Sequence, residues 1–249
     1  MQYAGLYRKR EYFHANKHLL PPEVMSNYEA AFRVEYTHNS TAIEGNTLSL
    51  LETKLLLEDK ISVGGKELRE IYEVTNHAKA YDYTCKCVAE GKPLDENIVK
   101  DIHQILMENI QPGGIYRNVN VRIIGAGFQP PSPNEMYAQV KGFFAELPYK
   151  TETPSIELAA WVHAEFVRIH PFTDGNGRVS RMIMNYQLLS DGWLPVSVAN
   201  EDKLKYFEAL EAFALCGNIG PFVSFVAELE GKELDRMNEV IEQLHNSQT

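Results

Sequence analysis

Apolar residues recur at the three- to four-residue spacing of amphipathic helices along most of the chain. Glycine, proline and asparagine interrupt these apolar stripes at intervals, as they do where helices end. The pattern predicts helices over 21–44, 49–57, 66–88, 95–111, 136–147, 154–169, 179–189, 201–215 and 221–245. The sequence therefore indicates an all-α protein, arranged as a helical bundle.

Capping signals mark several of these helix ends. Gly45 follows the first long helix, which ends at Glu44, and glycine is common directly after a helix. Ser49 and Glu52 have the spacing of a capping box, and Asp95 is a favourable N-cap. These residues set the predicted boundaries at 44, 49 and 95.

One segment departs from helical spacing. Val119, Val121 and Ile123 alternate with polar residues at period two, and the glycines within 125–127 offer a turn. This alternation predicts one short β-hairpin, which is the only clear strand signal in the sequence.

The predicted helices fall into three groups along the chain. The pattern divides the chain into an N-terminal helical extension over 1–90, a core over 91–200, and C-terminal helices over 201–249 that are expected to pack on the core. The sequence contains no internal repeat and no long linker. We therefore expect the extension to pack on the rest of the molecule.

Charge and cysteine content narrow the classes of function. The 249 residues carry a formal net charge of −10, which disfavours a nucleic-acid partner because such partners need clustered Lys and Arg. The three cysteines have no disulfide or zinc spacing, and no apolar run has the length of a membrane span or signal peptide. We expect a cytoplasmic protein with no membrane partner.

The stretch HPFTDGNGRVSR, residues 170–181, lies between two predicted helices and combines residues of complementary chemistry. Gly175 and Gly177 leave backbone amides unobstructed, and the N-terminus of the following helix adds partial positive charge, so the loop is suited to an anion. Arg178 and Arg181 bring charge-assisted donors to the same place. Together these residues predict a polyphosphate site.

Two further residues of this stretch supply a metal ligand and a base. Asp174 offers the hard oxygen that Mg²⁺ prefers, with phosphate oxygens and water completing the coordination. His170 has an ordinary pKa of about 6.5 and can therefore accept a proton from a hydroxyl at neutral pH. The order of these residues within one loop is hard to explain by turn formation alone.

The stretch resembles the signature of the Fic family, HPFx(D/E)GNGRxxR, at every specified position. Residues 114–127 are similar to the family's flap, and STAIEG at 40–45 resembles its inhibitory motif (S/T)xxxE(G/N). Because this second motif precedes the core, the chain resembles the subgroup with an N-terminal inhibitory helix. Of the motif's three matched positions, Glu44 is the inhibitory one, and Ser40 and Gly45 flank it.

The resemblance implies a protein adenylyltransferase, which transfers AMP from Mg-ATP to a Ser, Thr or Tyr hydroxyl of a target protein and of itself. It implies His170 as the catalytic base and Asp174 as the Mg²⁺ ligand. The nucleotide-binding residues that it implies are Asp174, Gly175, Asn176, Gly177, Arg178, Arg181, Ile124, Gly125 and Tyr206.

These residues have distinct implied roles. Asn176 and the neighbouring amides hold the α-phosphate, Arg178 and Arg181 hold the β- and γ-phosphates, and Tyr206 meets the adenine edge. The flap binds the target's extended segment by strand addition. A relative that phosphorylates its targets has Lys at the position of Gly177, so the glycine favours nucleotide transfer. The motif itself does not read the base.

The same resemblance motivates a hypothesis of autoinhibition. Glu44 pairs with Arg181 and removes the donor that should hold the γ-phosphate. Breaking a buried pair costs about 3–5 kcal/mol, which corresponds to repression of several hundredfold. The competing interpretation is that Glu44 only ends a helix.

Other functions stay open at this point. A catalytically silent nucleotide-sensing module and an enzyme that removes AMP through the same site are both compatible with the motif. A DNA-binding relative would need a basic C-terminal domain, whereas 231–245 is acidic. His103 and His163 lack accompanying metal ligands and are expected to be packed or solvated. Exposed helices offer surfaces for homo-oligomerisation.

Overall fold

Ten α-helices dominate residues 3–248, the part of the chain that this computed structural model describes. They are α1 (Ala4–Asn16), α2 (Pro22–Ile43), α3 (Leu50–Leu57), α4 (Leu68–Ala89), α5 (Glu96–Leu106), α6 (Pro133–Glu146), α7 (Ser155–Ile169), α8 (Asn176–Ser190), α9 (Lys203–Cys216) and α10 (Gly220–Gln248). Single turns of 3₁₀ helix follow α1 and α6 and precede α9. The predicted all-α fold is confirmed.

The helix ends obey the capping signals in the sequence. The amide of Gly45 donates to Ala42 O (3.0 Å) and that of Asn46 to Thr41 O (3.2 Å), which is the Schellman arrangement, with Gly45 at φ 101°. Ser49 and Glu52 form the predicted capping box of α3. Glu44 is consequently fixed as the C-cap residue of α2, directly after Ile43, at the point where the chain turns away.

Helices α7 and α8 form an antiparallel pair at the centre of the molecule. Three alanines of α7, Ala159, Ala160 and Ala164, are buried and let neighbouring helices approach closely. α4, α5 and α6 cover one side of this pair, and α9 and α10 cover the other. The loop that joins α7 to α8, residues 170–175, is thereby held between two hydrophobic cores.

The sequence pattern did not assign α1 as a separate helix. Only Leu6 and Phe13 of this helix are buried hydrophobic residues, so its apolar stripe is too sparse to detect. The helix packs against α10, where Lys9 pairs with Asp235 at 2.6 Å. Charged residues are distributed along the 29-residue α10. No helix within 3–248 has the length and apolar content to cross a membrane.

The predicted β-hairpin is wrong in its pairing. Residues 119–128 form irregular segments on either side of a turn at 124–125, no strand is present within 3–248, and the turn itself has one backbone bond, from Ala126 N to Ile123 O (3.3 Å). The two arms are anchored separately, since Arg117 holds Val119 O and Glu211 holds Gly127 N. An exposed two-stranded hairpin without a packed face is marginal in water, which explains the unpaired arms.

Candidate active site

The α7–α8 loop begins and ends with a residue in the left-handed backbone region. His170, at φ 53°, terminates α7, and Gly175, at φ 80°, precedes α8. A Cβ at Gly175 would also meet Met107 Cε, but this is the end of a flexible side chain, so the positive φ is the main reason for glycine there. Asn176 clamps the loop because its side chain accepts from Phe172 N and donates to Phe172 O, both at 2.9 Å.

The His170 side chain is oriented with one nitrogen available as a base. Its Nδ1 lies 3.1 Å from Val167 O, and a carbonyl can only accept, so Nδ1 carries the proton of the neutral ring. Nε2 is therefore the basic nitrogen. Burial lowers the pKa of His170 below its ordinary value, with Val167 O opposing this shift and Arg117 adding to it. The imidazole is neutral at physiological pH.

Arg117 is the support beneath His170. This arginine is 2% exposed, and its guanidinium donates to three carbonyls, those of His170 (2.8 Å), Val119 (2.8 Å) and Pro131 (2.6 Å). Its own amide donates to Pro171 O at 2.9 Å. Arg117 thus fixes the loop that bears His170 relative to the first arm of the flap, at Val119, and to Pro131 after the flap.

Asp174 is ionised and partly exposed. One carboxylate oxygen accepts from Gly175 N (2.6 Å) and Arg178 Nη2 (3.1 Å), and the other accepts from Arg69 Nη2 (2.8 Å). Burial would raise the pKa of Asp174, but Arg178, the Gly175 amide and Arg69 together lower it. Its oxygens are therefore deprotonated and engaged by cationic donors.

Arg178 and Arg181 are both buried rather than projecting into solvent. Arg178 pairs with Asp174 and lies 3.7 Å from Glu73 Oε1. Asn46, in the turn that follows α2, donates to Glu73 Oε2 at 3.0 Å. A carboxylate from the N-terminal helices thus faces the first motif arginine.

Arg181 is 1% exposed and is bound by the end of α2. Its Nε donates to Ser40 Oγ (2.9 Å), and its Nη2 donates to Ser40 O (2.8 Å) and Glu44 Oε1 (2.7 Å). Burial opposes its charge, but Tyr206 and Glu44 outweigh this effect and raise the pKa of Arg181. The Glu44–Arg181 contact expected from the sequence is present in the structure.

Glu44 also covers the start of α8. A Cβ placed on Gly177 would collide with Glu44 Oε1 and approach Arg181 Nη1 to 3.1 Å. The Glu44 carboxylate therefore lies against Gly177, in the first turn of α8. Glycine leaves room there for a group that bears negative charge.

Tyr206 does not have the position expected of a contact to adenine. Its hydroxyl accepts from Arg181 Nη1 (3.3 Å) and donates to His163 Nε2 (2.9 Å), and the residue is 1% exposed. In this arrangement the ring offers no edge to a base, and the hydroxyl supports Arg181. His163 is a packed histidine, as predicted, and burial holds its pKa well below the ordinary value.

Ile124 and Gly125 lie at the tip of the flap, apart from the buried charges. Ile124 is 99% exposed, and Gly125 takes the left-handed conformation of the turn, at φ 85°. Their expected contact with a target or nucleotide stays a prediction.

Four residues of this site were missed at the level of sequence. They are Arg69, Glu73, His103 and Arg117. Arg69 and Glu73 are four apart on α4 and have the spacing of an ordinary surface pair. Gly114 and Arg117 stand together in the flap-like segment, which was the one available signal for Arg117.

The donor set is compatible with Mg²⁺. Within 3–248 no group of three or more His, Cys, Asp or Glu side chains is arranged to hold a metal, and Asp174 offers one ionised carboxylate beside the cradle. Mg²⁺ commonly takes one or two protein carboxylates and fills the remaining positions with water and phosphate oxygens. The site fits a metal that arrives with a nucleotide.

Fold and site together define an all-α protein in which a neutral histidine base, a carboxylate and two arginines surround one helix N-terminus. The Fic/DOC family pattern matches residues 93–188. Protein adenylyltransferase Fic of Drosophila willistoni is 31% identical over 205 residues, and that of Aedes aegypti is 32% identical over 207. Each match covers 81% of this chain and 41% of the relative. This chain thus spans less than half the length of these curated relatives.

Solved structures show the same fold. A Fic domain containing signaling protein from Bacteroides thetaiotaomicron has a TM-score of 0.87 and 25% identity, covering 98% of this chain and 97% of that one. Fic-1 from C. elegans has a TM-score of 0.81 and 29% identity, covering 93% and 69%. The chain thus contains a Fic/DOC family domain at residues 93–188.

Proposed function

We propose that this protein transfers AMP from Mg-ATP to a Ser, Thr or Tyr hydroxyl of a target protein and of itself, and that Glu44 inhibits the reaction. The observation that carries the proposal is the arrangement around α8. A neutral His170 and an ionised Asp174 flank a helix N-terminus whose second arginine is bound by Glu44. Relatives that are 31–32% identical to this chain are named protein adenylyltransferases.

The chemistry follows from the proton positions. His170 Nε2 accepts the proton of the attacking hydroxyl, and the hydroxyl oxygen forms a bond to the α-phosphorus while the bond to the β-phosphate oxygen breaks. Pyrophosphate is the leaving group. Bound Mg²⁺ would neutralise developing phosphate charge, with Asp174 as its protein ligand. The N-terminal dipole of α8 favours negative charge at the same point.

The flap is the proposed docking segment for the target. Val119 and Ile124 are exposed, and the arms of 119–128 have backbone groups that are not paired with each other. An extended target segment can pair with such a backbone with little sequence selection. Arg117 links this segment to the loop bearing His170, so a docked hydroxyl would be held in a fixed relation to the base.

Inhibition by Glu44 has two parts. Its carboxylate occupies the space against Gly177, and it engages the Nη2 donor of Arg181. Because the Glu44 side chain is 35% exposed, solvent weakens its ion pair with Arg181. We therefore expect repression of about 10- to 100-fold, which is less than a fully buried pair would give. Ser40 retains Arg181 in place through its hydroxyl and carbonyl.

The test is intact-mass spectrometry after incubation with Mg²⁺ and ATP, UTP or GTP separately. We expect an AMP-sized adduct on Glu44→Gly, at least tenfold faster than on the wild type, and none on Glu44→Gly/His170→Ala. Glu90→Gly is the matched control, because Glu90 also ends a helix and also precedes a glycine. The absence of an adduct from every nucleotide, despite ATP binding to Glu44→Gly, would contradict transfer and favour a sensor or the removal reaction.

A further inference from the structure

One imidazole contacts both the metal-binding loop and the base of the flap. His103, on α5, has Nε2 3.1 Å from Asp174 O and Nδ1 2.8 Å from Gly114 N. Asp174 belongs to the loop before α8, and Gly114 begins the segment that leads through Arg117 into the flap. The two halves of the site therefore meet at this side chain.

The hydrogen-bond partners fix the tautomer of His103. An amide only donates, so the Gly114 amide requires an unprotonated Nδ1. A carbonyl only accepts, so Asp174 O requires a proton on Nε2. The neutral ring with the proton on Nε2 forms both hydrogen bonds at once. The other tautomer, with the proton on Nδ1, could form neither.

Packing leaves the ring no alternative position. His103 is 1% exposed and stacks on Phe172 with ring centroids 3.6 Å apart and planes at 5°. A Cβ on Gly175 would stand 3.4 Å from His103 Cδ2 and 3.5 Å from Nε2. The ring thus contacts Phe172 and Asp174 and lies beside Gly175, where a Cβ would be in van der Waals contact with it.

We infer that His103 is a positioning residue that couples the flap to the loop bearing the metal ligand. Its two bonds make the placement of Gly114 depend on that of Asp174. By linkage, a target segment that orders the flap strengthens binding of the metal-nucleotide, and the reverse holds to the same degree. The coupling itself is a property of the fold, and only its consequence for catalysis rests on the proposed function.

Two substitutions separate the two bonds. The amide of Asn reaches the position of Nδ1, so His103→Asn can still accept from Gly114 N while it loses the donor to Asp174 O. The longer Gln reaches the position of Nε2, so His103→Gln keeps that donor and loses the acceptor for Gly114 N. Ile102→Val is the control, since Ile102 is a fully buried neighbour on α5 whose side chain makes neither bond.

The first measurement is hydrogen–deuterium exchange on the otherwise wild-type protein. Loss of one hydrogen bond is expected to raise exchange about 2- to 10-fold in the segment that loses it. We expect His103→Gln to raise exchange over 114–128 more than over 172–178, and His103→Asn to show the opposite order. Ile102→Val should show neither selective change.

The second measurement is calorimetric binding of Mn²⁺ with a non-hydrolysable ATP analogue, in the Glu44→Gly background. We expect His103→Asn to weaken binding about 2- to 10-fold more than His103→Gln does. If both variants raise exchange equally in both segments, His103 has only a packing role and the inference is overturned. Failure of the proposed function would instead leave the exchange pattern intact while Glu44→Gly transfers no AMP.

Discussion

At the scale of single residues, His170 determines how the proposed reaction depends on pH. The base must be neutral to accept a proton, and burial lowers its pKa below the ordinary value of about 6.5. Acidification therefore removes activity only when the pH falls through this lowered pKa. We expect the single-turnover rate of Glu44→Gly to rise from acid pH and to level off below pH 6.5.

The measurement is the rate of self-modification with saturating Mg-ATP between pH 4.5 and 8.5, followed by mass. Protein incubated at each pH and returned to pH 7.5 serves as the control for unfolding. An inflection above pH 7 would mean that a group other than the neutral His170 imidazole limits the reaction.

Substitution of Tyr206 tests whether this residue supports Arg181 or contacts the adenine base. Its hydroxyl is bound to Arg181 and His163, so Tyr206→Phe removes support for the arginine without exposing a base-binding surface. We expect a loss of about 1 kcal/mol in the free energy of unfolding. The relative use of ATP, UTP and GTP by Glu44→Gly/Tyr206→Phe should match that of Glu44→Gly, and a changed preference would restore Tyr206 as a contact to the base.

At the scale of elements, α4 places two opposite charges on the motif. Arg69 binds Asp174, and four residues later Glu73 faces Arg178. With Glu44 on Arg181, each charged motif residue is matched by an opposite charge from the N-terminal helices. We expect Arg69 to compete with the proposed metal ion for the Asp174 carboxylate, so that α4 restrains the proposed nucleotide binding as Glu44 does.

We therefore expect Arg69→Ala in the Glu44→Gly background to tighten binding of Mn²⁺ with a non-hydrolysable ATP analogue. The Arg69 side chain is 56% exposed, and such pairs contribute about 0–1 kcal/mol, so the dissociation constant should fall by no more than about fivefold. Arg33→Ala is the matched control, because Arg33 pairs with Asp82 away from the site. Weaker binding by Arg69→Ala, measured by calorimetry, would instead assign Arg69 to the phosphates.

The helices and the hairpin also show which features the sequence alone was sufficient to predict. Helices α2 to α10 follow from apolar spacing and caps, because these features act within one segment. The Glu44–Arg181 contact was expected only through resemblance to a family, since nothing local to α2 indicates its partner. The Arg69–Asp174 pair joins residues 105 positions apart, and no local pattern encodes it. The prediction of a hairpin was wrong because alternation is a property of one segment, whereas a hairpin also needs a second strand to pair with it.

At the scale of the whole molecule, the segment after α8 joins helices from both ends of the chain. Asn185 bonds both backbone groups of Val196, at 2.9 and 2.8 Å, and Asn39 of α2 donates to Ser197 Oγ at 3.0 Å. Glu230 of α10 accepts from Leu194 N at 2.9 Å. The position of α2, and with it Glu44, thus depends on packing that α10 completes.

Glu230 gives this arrangement a measurable dependence on pH. Burial raises its pKa to about 8, with Glu233 adding to the shift and the Leu194 amide and Arg10 opposing it. The unfolded chain releases this proton near the ordinary pKa of about 4.3, whereas the folded protein holds it until about pH 8. The free energy of unfolding therefore falls as the pH rises from the unfolded-state pKa of Glu230 to its folded-state pKa. Above the folded-state pKa, Glu230 no longer changes the free energy of unfolding with pH.

Glu230→Gln removes the titration while it can keep the acceptor for Leu194 N. We expect its free energy of unfolding to exceed that of the wild type by several kcal/mol at pH 8.5 and to differ little at pH 4.5, as measured by urea unfolding. Glu228→Gln, an exposed carboxyl on the same helix, is the control. A constant difference between Glu230→Gln and the wild type across this range would show that Glu230 ionises in the folded protein as it does in the unfolded chain. The packing of α2 and Glu44 against the segment after α8 would then not depend on pH through Glu230.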